Sequence, residues 1–314
     1  MTPLLSSTID GLSGRIASFC TTVSHPLIVV AGPTGTGKTA LSIELAKCFS
    51  GEVVNADSRQ LYRGMEIGAA VATTEERQGI PHHLLSFLDP DEVFTLSDYQ
   101  KAAFETIDSI LAREKLPFLV GGTGLYINAV CLNYSIPDIL PDPQFREELG
   151  KRLEREGFEA LRAELATLDP ITAGKLQSGQ DRYLLRALEI TQHGGTKSKL
   201  ASVDTPRYDS LFILLQADRN QLQDRLAKRV QDQINTGVVD EVRALLDKGY
   251  DERTHALDGI SCKEWIPYVR GMSSLEECMA ETVRNNQRYA KRQATWFRGL
   301  RKKVPADHVI TIDI

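Results

Sequence analysis

The residues with the clearest chemistry form a glycine-rich run, Gly32-Pro33-Thr34-Gly35-Thr36-Gly37-Lys38-Thr39. The run matches the pattern GxxxxGK[ST] in full and lies between a short apolar segment and a helical pattern. In such a loop glycines let backbone N–H groups wrap phosphate oxygens, a lysine neutralises their charge, and a hydroxyl can ligate Mg²⁺. We therefore predict a phosphate-binding loop in which Lys38 contacts the phosphates and Thr39 is the metal ligand.

The acidic residues near the predicted strands narrow the choice of phosphate chemistry. Nucleotide-hydrolysing proteins usually place a Mg²⁺-binding carboxylate at the end of a second apolar strand. Here the run PFLV ends in Gly121-Gly122-Thr123 without an acid, and Asp218, after a later run, is followed at once by Arg219. The best placed carboxylate is Asp57, at the end of the strand after the loop helix, where doubly wound sheets bind ligands. A small-molecule kinase is therefore disfavoured.

The elements that must hold these residues alternate between strand and helix. Short apolar segments predict strands at 27–31, 52–56, 117–120 and 211–215, and helical spacing predicts helices at 39–49 and 97–113. Alternation of this kind indicates βαβ units and a parallel sheet covered by helices on both faces. The predicted fold class is α/β, with a P-loop NTPase-like parallel sheet.

The pattern changes between 137 and 199, where apolar residues recur at helical spacing without strand-like runs. Gly157 separates two predicted helices, and Asp169-Pro170 is typical of a helix start. We predict an all-helical insertion domain at 137–199, within a catalytic core with C-terminal helices formed by 27–136 and 200–314. Residues 1–26 are predicted to be a loose N-terminal extension, because they lack the apolar segment of a signal peptide.

Composition favours a cytoplasmic protein without membrane segments. No apolar run reaches 18 residues, and the five cysteines form no CxxC pair. The adjacent His82 and His83 are interpreted as structural, since no Cys or acid cluster accompanies them. The net charge of −5 argues against a general polyanion binder, so contact with nucleic acid needs a local patch. One is predicted at 284–303, with eight basic residues and no acid.

Seven sequence blocks in a fixed order carry a resemblance to a known family. They are GPTGTGKT (32–39), NADSRQLYRGMEIG (55–68), PHHLL (81–85), LDPDEVFTLSDY (88–99), LVGGTGLYI (119–127), RALEI (186–190) and YAKRQATWFR (289–298). With this set the chain resembles the tRNA dimethylallyltransferases, also called tRNA isopentenyltransferases. The resemblance implies transfer of a dimethylallyl group from dimethylallyl diphosphate to N6 of adenine 37, next to the anticodon of tRNA.

The resemblance also implies roles for individual residues. Asp57 would accept the N6 proton, and Thr123 would hydrogen-bond near the bridging oxygen as the C–O bond breaks. The phosphate loop, with Mg²⁺ on Thr39 and with Arg219, would bind the departing diphosphate. The other expected partner is tRNA, and the enzyme is expected to act as a monomer.

Because a stacked adenine cannot reach a buried site, we expect the base to be flipped out of the anticodon loop. By resemblance, the residues near this base are Ser58, Arg59 and Gln60. The insertion would contact the anticodon arm through Arg146, Arg182 and Arg186. For Arg146 and Arg182 in particular, the alternative is pairing with the many nearby glutamates.

The chain departs from the family pattern at Ala69-Ala70-Val71, where Thr-x-Lys is usual, at Ser261-Cys262 and at Asn286-Gln287, and 181–200 is one residue short in two places. The departures with expected consequences are those at 69–71, 261–262 and 286–287. We expect the first departure to weaken substrate affinity and the other two to alter the RNA-binding surface. Two other functions stay open at this point. One is prenylation of free AMP, ADP or ATP, and the other is RNA binding by a catalytically impaired relative.

Overall fold

The apolar runs of the sequence form a six-stranded parallel sheet. The structure is a computed structural model that describes residues 3–136, 142–193, 195–200 and 205–314. Its strands are β1 (Pro26–Ala31), β2 (Glu52–Asn55), β3 (His82–His83), β4 (Pro117–Gly121), β5 (Asp209–Gln216) and β6 (Val309–Asp313). Their order is β3-β2-β4-β1-β5-β6, and every neighbouring pair is parallel. The predicted α/β class with a parallel sheet is confirmed.

Helices connect and flank these strands. They are α1 (Pro3–Thr22), α2 (Lys38–Cys48), α3 (Thr74–Arg77), α4 (Leu96–Ala112), α5 (Gly124–Cys131), α6 (Pro143–Glu156), α7 (Phe158–Leu168), α8 (Pro170–Lys175), α9 (Asp181–Gln192), α10 (Lys197–Leu200), α11 (Arg219–Thr236), α12 (Val238–Asp247), α13 (Ile266–Val269) and α14 (Leu275–Leu300). Short 3-10 turns occupy Lys263–Trp265 and Ala306–His308. Among the described helices, none has the length and apolarity needed to cross a membrane.

The N-terminal segment differs from the loose extension that the sequence suggested. Helix α1 places Ile9, Leu12, Ile16 and Phe19 in the same buried cluster as side chains of β1, β4 and β5. The spacing of these four residues follows one helical face, and burying apolar surface is what holds such a helix to a domain. The sequence signal that was overlooked is this apolar stripe, whose members are separated by polar residues and glycines.

The chain divides into two compact units. One comprises Met1–Phe94, Tyr99–Cys131 and Arg207–Ile314, and it contains the sheet. The other comprises Thr95–Asp98 and Leu132–Pro206. The helices of the second unit, α6 to α10, have their own core, built around Leu149, Leu161, Leu165, Leu184 and Leu188.

The helical part of the second unit follows the predicted local signals. Gly157, with φ +82°, separates α6 from α7, and the Asp169 carboxylate caps α8 by accepting from the N–H of Thr172. The predicted insertion at 137–199 falls within this unit. Residues 137–141 and 194 of that prediction lie outside the described residues.

Candidate active site

The phosphate loop connects the end of β1 to the start of α2, as its sequence context predicted. Gly35 and Gly37 have φ values of +83° and +80°, in the left-handed region where a side chain is strained. A Cβ on Gly32 would lie 2.6 Å from the carbonyl oxygen of Leu215 on β5. The glycines are therefore required by the backbone path of the loop and by its contact with the neighbouring strand.

Lys38 folds back over this loop. Its Nζ donates to the carbonyl oxygen of Pro33 at 2.9 Å, and the Thr36 hydroxyl donates to the same oxygen at 2.8 Å. Burial lowers the pKa of Lys38 to about 8, while the negative charge of Asp57 acts in the opposite direction and the positive charge of Arg229 lowers it further. A cation held in this way gains charge stabilisation when an anion enters the loop.

Two arginines of α11 occupy very different positions relative to the loop. Arg219, the predicted diphosphate ligand, is exposed at the first residue of the helix, after the capping residue Asp218. Arg229, almost three turns later, donates from Nη1 to the Thr34 hydroxyl at 2.9 Å. Burial lowers the pKa of Arg229, and Asp57 raises it. Sequence reasoning missed Arg229; its signal was a basic residue one turn after Arg225 on a helix that follows a core strand.

Asp57 lies at the carboxyl end of β2, where its orientation is fixed locally. The Asn55 side chain accepts from the backbone N–H of Asp57 at 2.9 Å, and Asp57 Oδ1 accepts from the N–H of Arg59 at 3.0 Å. The Tyr99 hydroxyl donates to the carbonyl oxygen of Asn55 at 2.9 Å from within the core. Oδ1 therefore has a backbone donor, and Oδ2 faces the turn after β4.

That turn, Gly121-Gly122-Thr123-Gly124, lies very close to β2 and α14. A Cβ on Gly121 would lie 2.1 Å from the carbonyl oxygen of Ala56. A Cβ on Gly122 would lie 2.2 Å from Gln293 Nε2 and 3.5 Å from Asp57 Oδ2. The absence of side chains thus lets the turn reach Asp57 from one side and α14 from the other.

The Thr123 hydroxyl is the hydrogen-bonding centre of the turn. It accepts from the backbone N–H of Ser58 at 3.0 Å and lies 3.3 Å from the Ser58 hydroxyl. It also hydrogen-bonds the phenol of Tyr289 on α14. Burial, followed by the charge of Asp57, raises the pKa of Tyr289 to about 12, so its hydroxyl stays protonated at neutral pH.

Gln293 of α14 joins the phosphate loop to this turn. Its Oε1 accepts from the backbone N–H of Thr34 at 2.9 Å, and its Nε2 donates to the carbonyl oxygen of Gly122 at 2.9 Å. Gln293 is buried, so both halves of its amide need these partners. The sequence analysis placed Gln293 in the block at 289–298 and within a basic segment, but it assigned this inward-facing amide no role.

A cleft of about 790 Å³ opens beside the phosphate loop. Lys38, Thr39, Arg225 and Arg229 line it together with the turn at 66–72. Val71 stands on this wall where the family pattern usually has a lysine, so the described cationic lining comes from Lys38 and the two α11 arginines.

The turn at 66–72 is fixed from behind by α11 and α12. Glu241 accepts from the backbone N–H groups of Ile67 and Gly68 at 2.7 and 2.8 Å, and Gln233 donates to both of their carbonyl oxygens. Burial raises the pKa of Glu241 to about 7, although its two backbone hydrogen bonds lower it. Gln60 adds donors to the carbonyl oxygens of Ala69 and Ala70, so its amide positions this wall.

The three arginines predicted in the insertion lie in the second unit. Arg146 and Arg186 both donate to Glu189 Oε2, at 2.8 and 2.5 Å, and Glu189 is buried. Burial raises the pKa of Glu189, but the hydrogen bonds from the two arginines leave it below its usual range. Arg146 and Arg186 therefore both form ion pairs with a glutamate in this structure. Arg182 is exposed on α9.

The adjacent histidines and the basic segment of α14 lie in different surroundings. In the parts of the chain that the structure describes, no group of three or more His, Cys, Asp or Glu side chains could hold a metal ion. His83 instead hydrogen-bonds Glu52 and His82 the carbonyl oxygen of Ile80. Five basic residues of α14 are exposed: Arg284, which pairs with Glu281, and Arg288, Lys291, Arg292 and Arg298.

Comparisons with known proteins agree with these features. The family model described as IPP transferase matches residues 60–300. A tRNA dimethylallyltransferase of Exiguobacterium sp. is 44% identical over 273 residues, covering 87% of each chain. Another from Roseiflexus castenholzii is 42% identical and covers 90% of this chain and 93% of its own.

Solved structures lead to the same family. The full-length tRNA isopentenylpyrophosphate transferase of Bacillus halodurans is 39% identical, with a TM-score of 0.67 over 92% of this chain and 90% of its own. A eukaryotic dimethylallyltransferase acting on tRNA is 27% identical, with a TM-score of 0.74 over 92% of this chain and 74% of its own. These neighbours confirm the predicted P-loop NTPase-like fold, and the chain belongs to the IPP transferase family.

Proposed function

We propose that this protein transfers a dimethylallyl group from dimethylallyl diphosphate to N6 of adenine 37 of tRNA. The observation that carries the proposal is the convergence of two groups in the sheet unit. Lys38 and Arg229 meet at the phosphate loop, and Asp57 and Thr123 meet at the neighbouring strand ends. The named activities of the relatives supply the substrate class.

The phosphate loop supplies the diphosphate site. Lys38 would exchange its bond to Pro33 for a phosphate oxygen, and Arg229 beside Thr34 adds a second positive charge. Thr39 lines the same cleft, so its hydroxyl fits as one ligand of Mg²⁺, with diphosphate oxygens as others. When bound, Mg²⁺ would help neutralise the diphosphate.

The strand ends supply the reacting groups. The N6 lone pair of adenine forms a bond to C1 of the dimethylallyl group while the C1–O bond breaks, and the electron pair leaves on diphosphate. Asp57 Oδ2 accepts the N6 proton, since Oδ1 already accepts from the Arg59 N–H. Thr123 lies beside Ser58 and Tyr289, whose bonds orient its hydroxyl for the bridging oxygen.

The base would reach Asp57 from the side of the chain that carries Ser58 and Arg59. Both are half-buried around Asp57, and flipping the base out of the anticodon loop costs a few kcal/mol. Of the three insertion arginines, Arg146 and Arg182 are exposed and Arg186 is half-buried; Arg146 and Arg186 would contact RNA alongside their bond to Glu189.

The test is mass spectrometry of nucleosides after incubation of the protein with dimethylallyl diphosphate, Mg²⁺ and an anticodon stem-loop carrying A36 and A37. A parallel reaction offers AMP. We expect a five-carbon adduct confined to A37, and a loss of about 10²- to 10⁴-fold in kcat for Asp57→Asn, as for removal of a general base. Asp232→Asn is the matched control, because Asp232 is an exposed carboxylate that lines the cleft away from the strand ends.

The outcomes separate the competing functions. An adduct on AMP alone would show a free-nucleotide prenyltransferase instead. Stem-loop binding without any adduct would show an RNA-binding protein that has lost catalysis. Equal activity of Asp57→Asn and Asp232→Asn would remove Asp57 from the proton transfer.

A further inference from the structure

Helix α14 carries a large aromatic side chain that is exposed beside the candidate active site. Trp296 is 41% exposed, whereas Trp265, the other tryptophan of the chain, is fully buried at 0%. Exposing an indole forgoes the free energy of burying a large apolar surface. An indole that stays exposed next to a reaction site is therefore a candidate contact for a ligand with an apolar face.

The turn that carries Thr123 also seats this indole. A Cβ on Gly124 would lie 2.1 Å from Trp296 Cδ1 and 2.4 Å from its Nε1, so the indole fits only because residue 124 is glycine. Leu125, the next residue, is also 41% exposed. Trp296 is thus fixed against the residue that follows Thr123, and a second exposed apolar side chain comes next in the chain.

The charges around the indole are those of a nucleic-acid site. Arg292 and Arg288 are exposed one and two turns before Trp296, on the same face of α14. The guanidinium of Arg292 lies 5.6 Å from the ring centroid of Tyr289. The sequence from 282 to 303 contains no acid. A cationic row that tracks a phosphate backbone, next to an aromatic face, is how proteins hold single-stranded RNA.

We propose that Trp296 stacks on a nucleobase of the tRNA that flanks the reacting adenine, with Arg292 contacting the adjacent phosphate. This inference rests on the proposed function. Flipping the adenine breaks its stacking with a neighbouring base, and the indole replaces that lost contact. Trp296 is accordingly a residue that holds the substrate, one turn from the inward-facing Gln293.

The test uses tryptophan fluorescence with acrylamide as quencher, because Trp265 is buried and the quenchable signal comes from Trp296. Binding of the anticodon stem-loop is followed separately by anisotropy of an end label. At saturating stem-loop we expect the quenching constant to fall at least about twofold, as a stacked base covers the ring. AMP and dimethylallyl diphosphate should leave it unchanged, and Trp296→Phe reports the constant of Trp265 alone.

Kinetics distinguish stacking from mere packing over Gly124. Trp296→Leu keeps an apolar side chain on that glycine but removes the aromatic face, whereas Trp296→Phe keeps both. We expect Trp296→Leu to raise the KM for the stem-loop about 10-fold, with the KM for dimethylallyl diphosphate unchanged and Trp296→Phe near wild type.

An acrylamide quenching constant for Trp296 that is the same in the stem-loop complex as in the free protein, while the complex still yields the A37 adduct, would overturn this inference and leave the proposed function standing. Equal KM values for Trp296→Leu and Trp296→Phe would also overturn it. Absence of any stem-loop binding would overturn both proposals.

Discussion

Arginines in the two units show opposite uses of the same side chain. In the helical unit, Arg146 and Arg186 donate to one buried carboxylate, Glu189. In the sheet unit, Arg229 donates to the neutral hydroxyl of Thr34 and lies in the field of Lys38, another cation. In the first arrangement both arginines already share a bonded counter-charge, whereas the second concentrates positive charge beside a loop of backbone N–H groups.

The difference separates structural charge from charge kept for a ligand. A buried carboxylate with two guanidinium partners holds helices together, because leaving it unpaired is costly. Burial disfavours the charged forms of Lys38 and Arg229, and Asp57 offsets this only in part until an anion arrives, which is typical of functional sites. The exposed fraction of the side chain does not reveal this difference, since Arg186 and Arg229 are both half-buried.

The largest expected effect is the loss of the structural cluster. Glu189→Gln leaves Arg146 and Arg186 without a counter-charge and the backbone N–H of Asp142 with a weaker acceptor. We expect the free energy of unfolding to fall by about 3 kcal/mol, measured by urea denaturation followed by circular dichroism. Glu159→Gln, which removes an exposed partner of Arg162 in the same unit, is the control and should stay within about 0.5 kcal/mol of wild type. Similar losses in both variants would mean that the pairing of Arg146 and Arg186 with Glu189 stabilises the unit no more than an exposed ion pair does.

The next largest effect concerns Arg229, the cation that we expect to bind the diphosphate. Arg229→Ala removes a cation next to the phosphate loop, and a charge-assisted hydrogen bond is worth about 1.5–3 kcal/mol, which corresponds to about 10- to 150-fold in binding. We expect the KM for dimethylallyl diphosphate to rise by about 100-fold, with little change in the free energy of unfolding. The measurement is steady-state kinetics at a fixed concentration of stem-loop.

Arg225→Ala is the matched control for Arg229→Ala. Arg225 lies on the same helix and lines the same cleft, but it is exposed. We expect its loss to change the KM less than tenfold. An equal effect of the two variants would mean that the field of the cleft, rather than the bond to Thr34, determines affinity.

How much of the site the sequence predicted depends on how local each signal is. The loop at 32–39, Asp57 and Thr123 lie in short motifs next to strand ends, so their places in the sheet followed from the parallel topology. Arg229 and Gln293 reach the loop from helices about 190 and 260 residues later in the chain. Only tertiary packing brings them there, and no spacing rule within one sequence encodes it.

The secondary structure also divides into elements that local sequence predicts and elements that depend on tertiary packing. Apolar runs and glycine or proline breaks predicted β1, β4, β5 and the boundary at Gly157 closely. Helix α1 was missed because glycines, serines, Asp10 and Arg15 separate its four buried residues, so that no continuous apolar run marks it. Whether such a helix packs against the domain depends on the apolar surface that the sheet offers, and the composition of the helix does not predict that surface.

The smallest effect concerns the titration of Lys38. Burial lowers its pKa to about 8 in the ligand-free protein, so its positive charge is present below that pH and is lost as pH rises through it. A bound diphosphate favours the charged form and raises the pKa of the amine, so binding at pH 9 must take up a proton. We expect the Kd for dimethylallyl diphosphate to rise by up to about tenfold per pH unit above 8. Calorimetry at pH 9 in buffers of different ionisation enthalpy would measure the uptake. Lys38→Met should bind more weakly at every pH, with no uptake beyond that of the ligand itself. A wild-type Kd that varies with pH only as the variant's does would mean that Lys38 keeps its charge in the empty loop, and that Asp57 outweighs burial there.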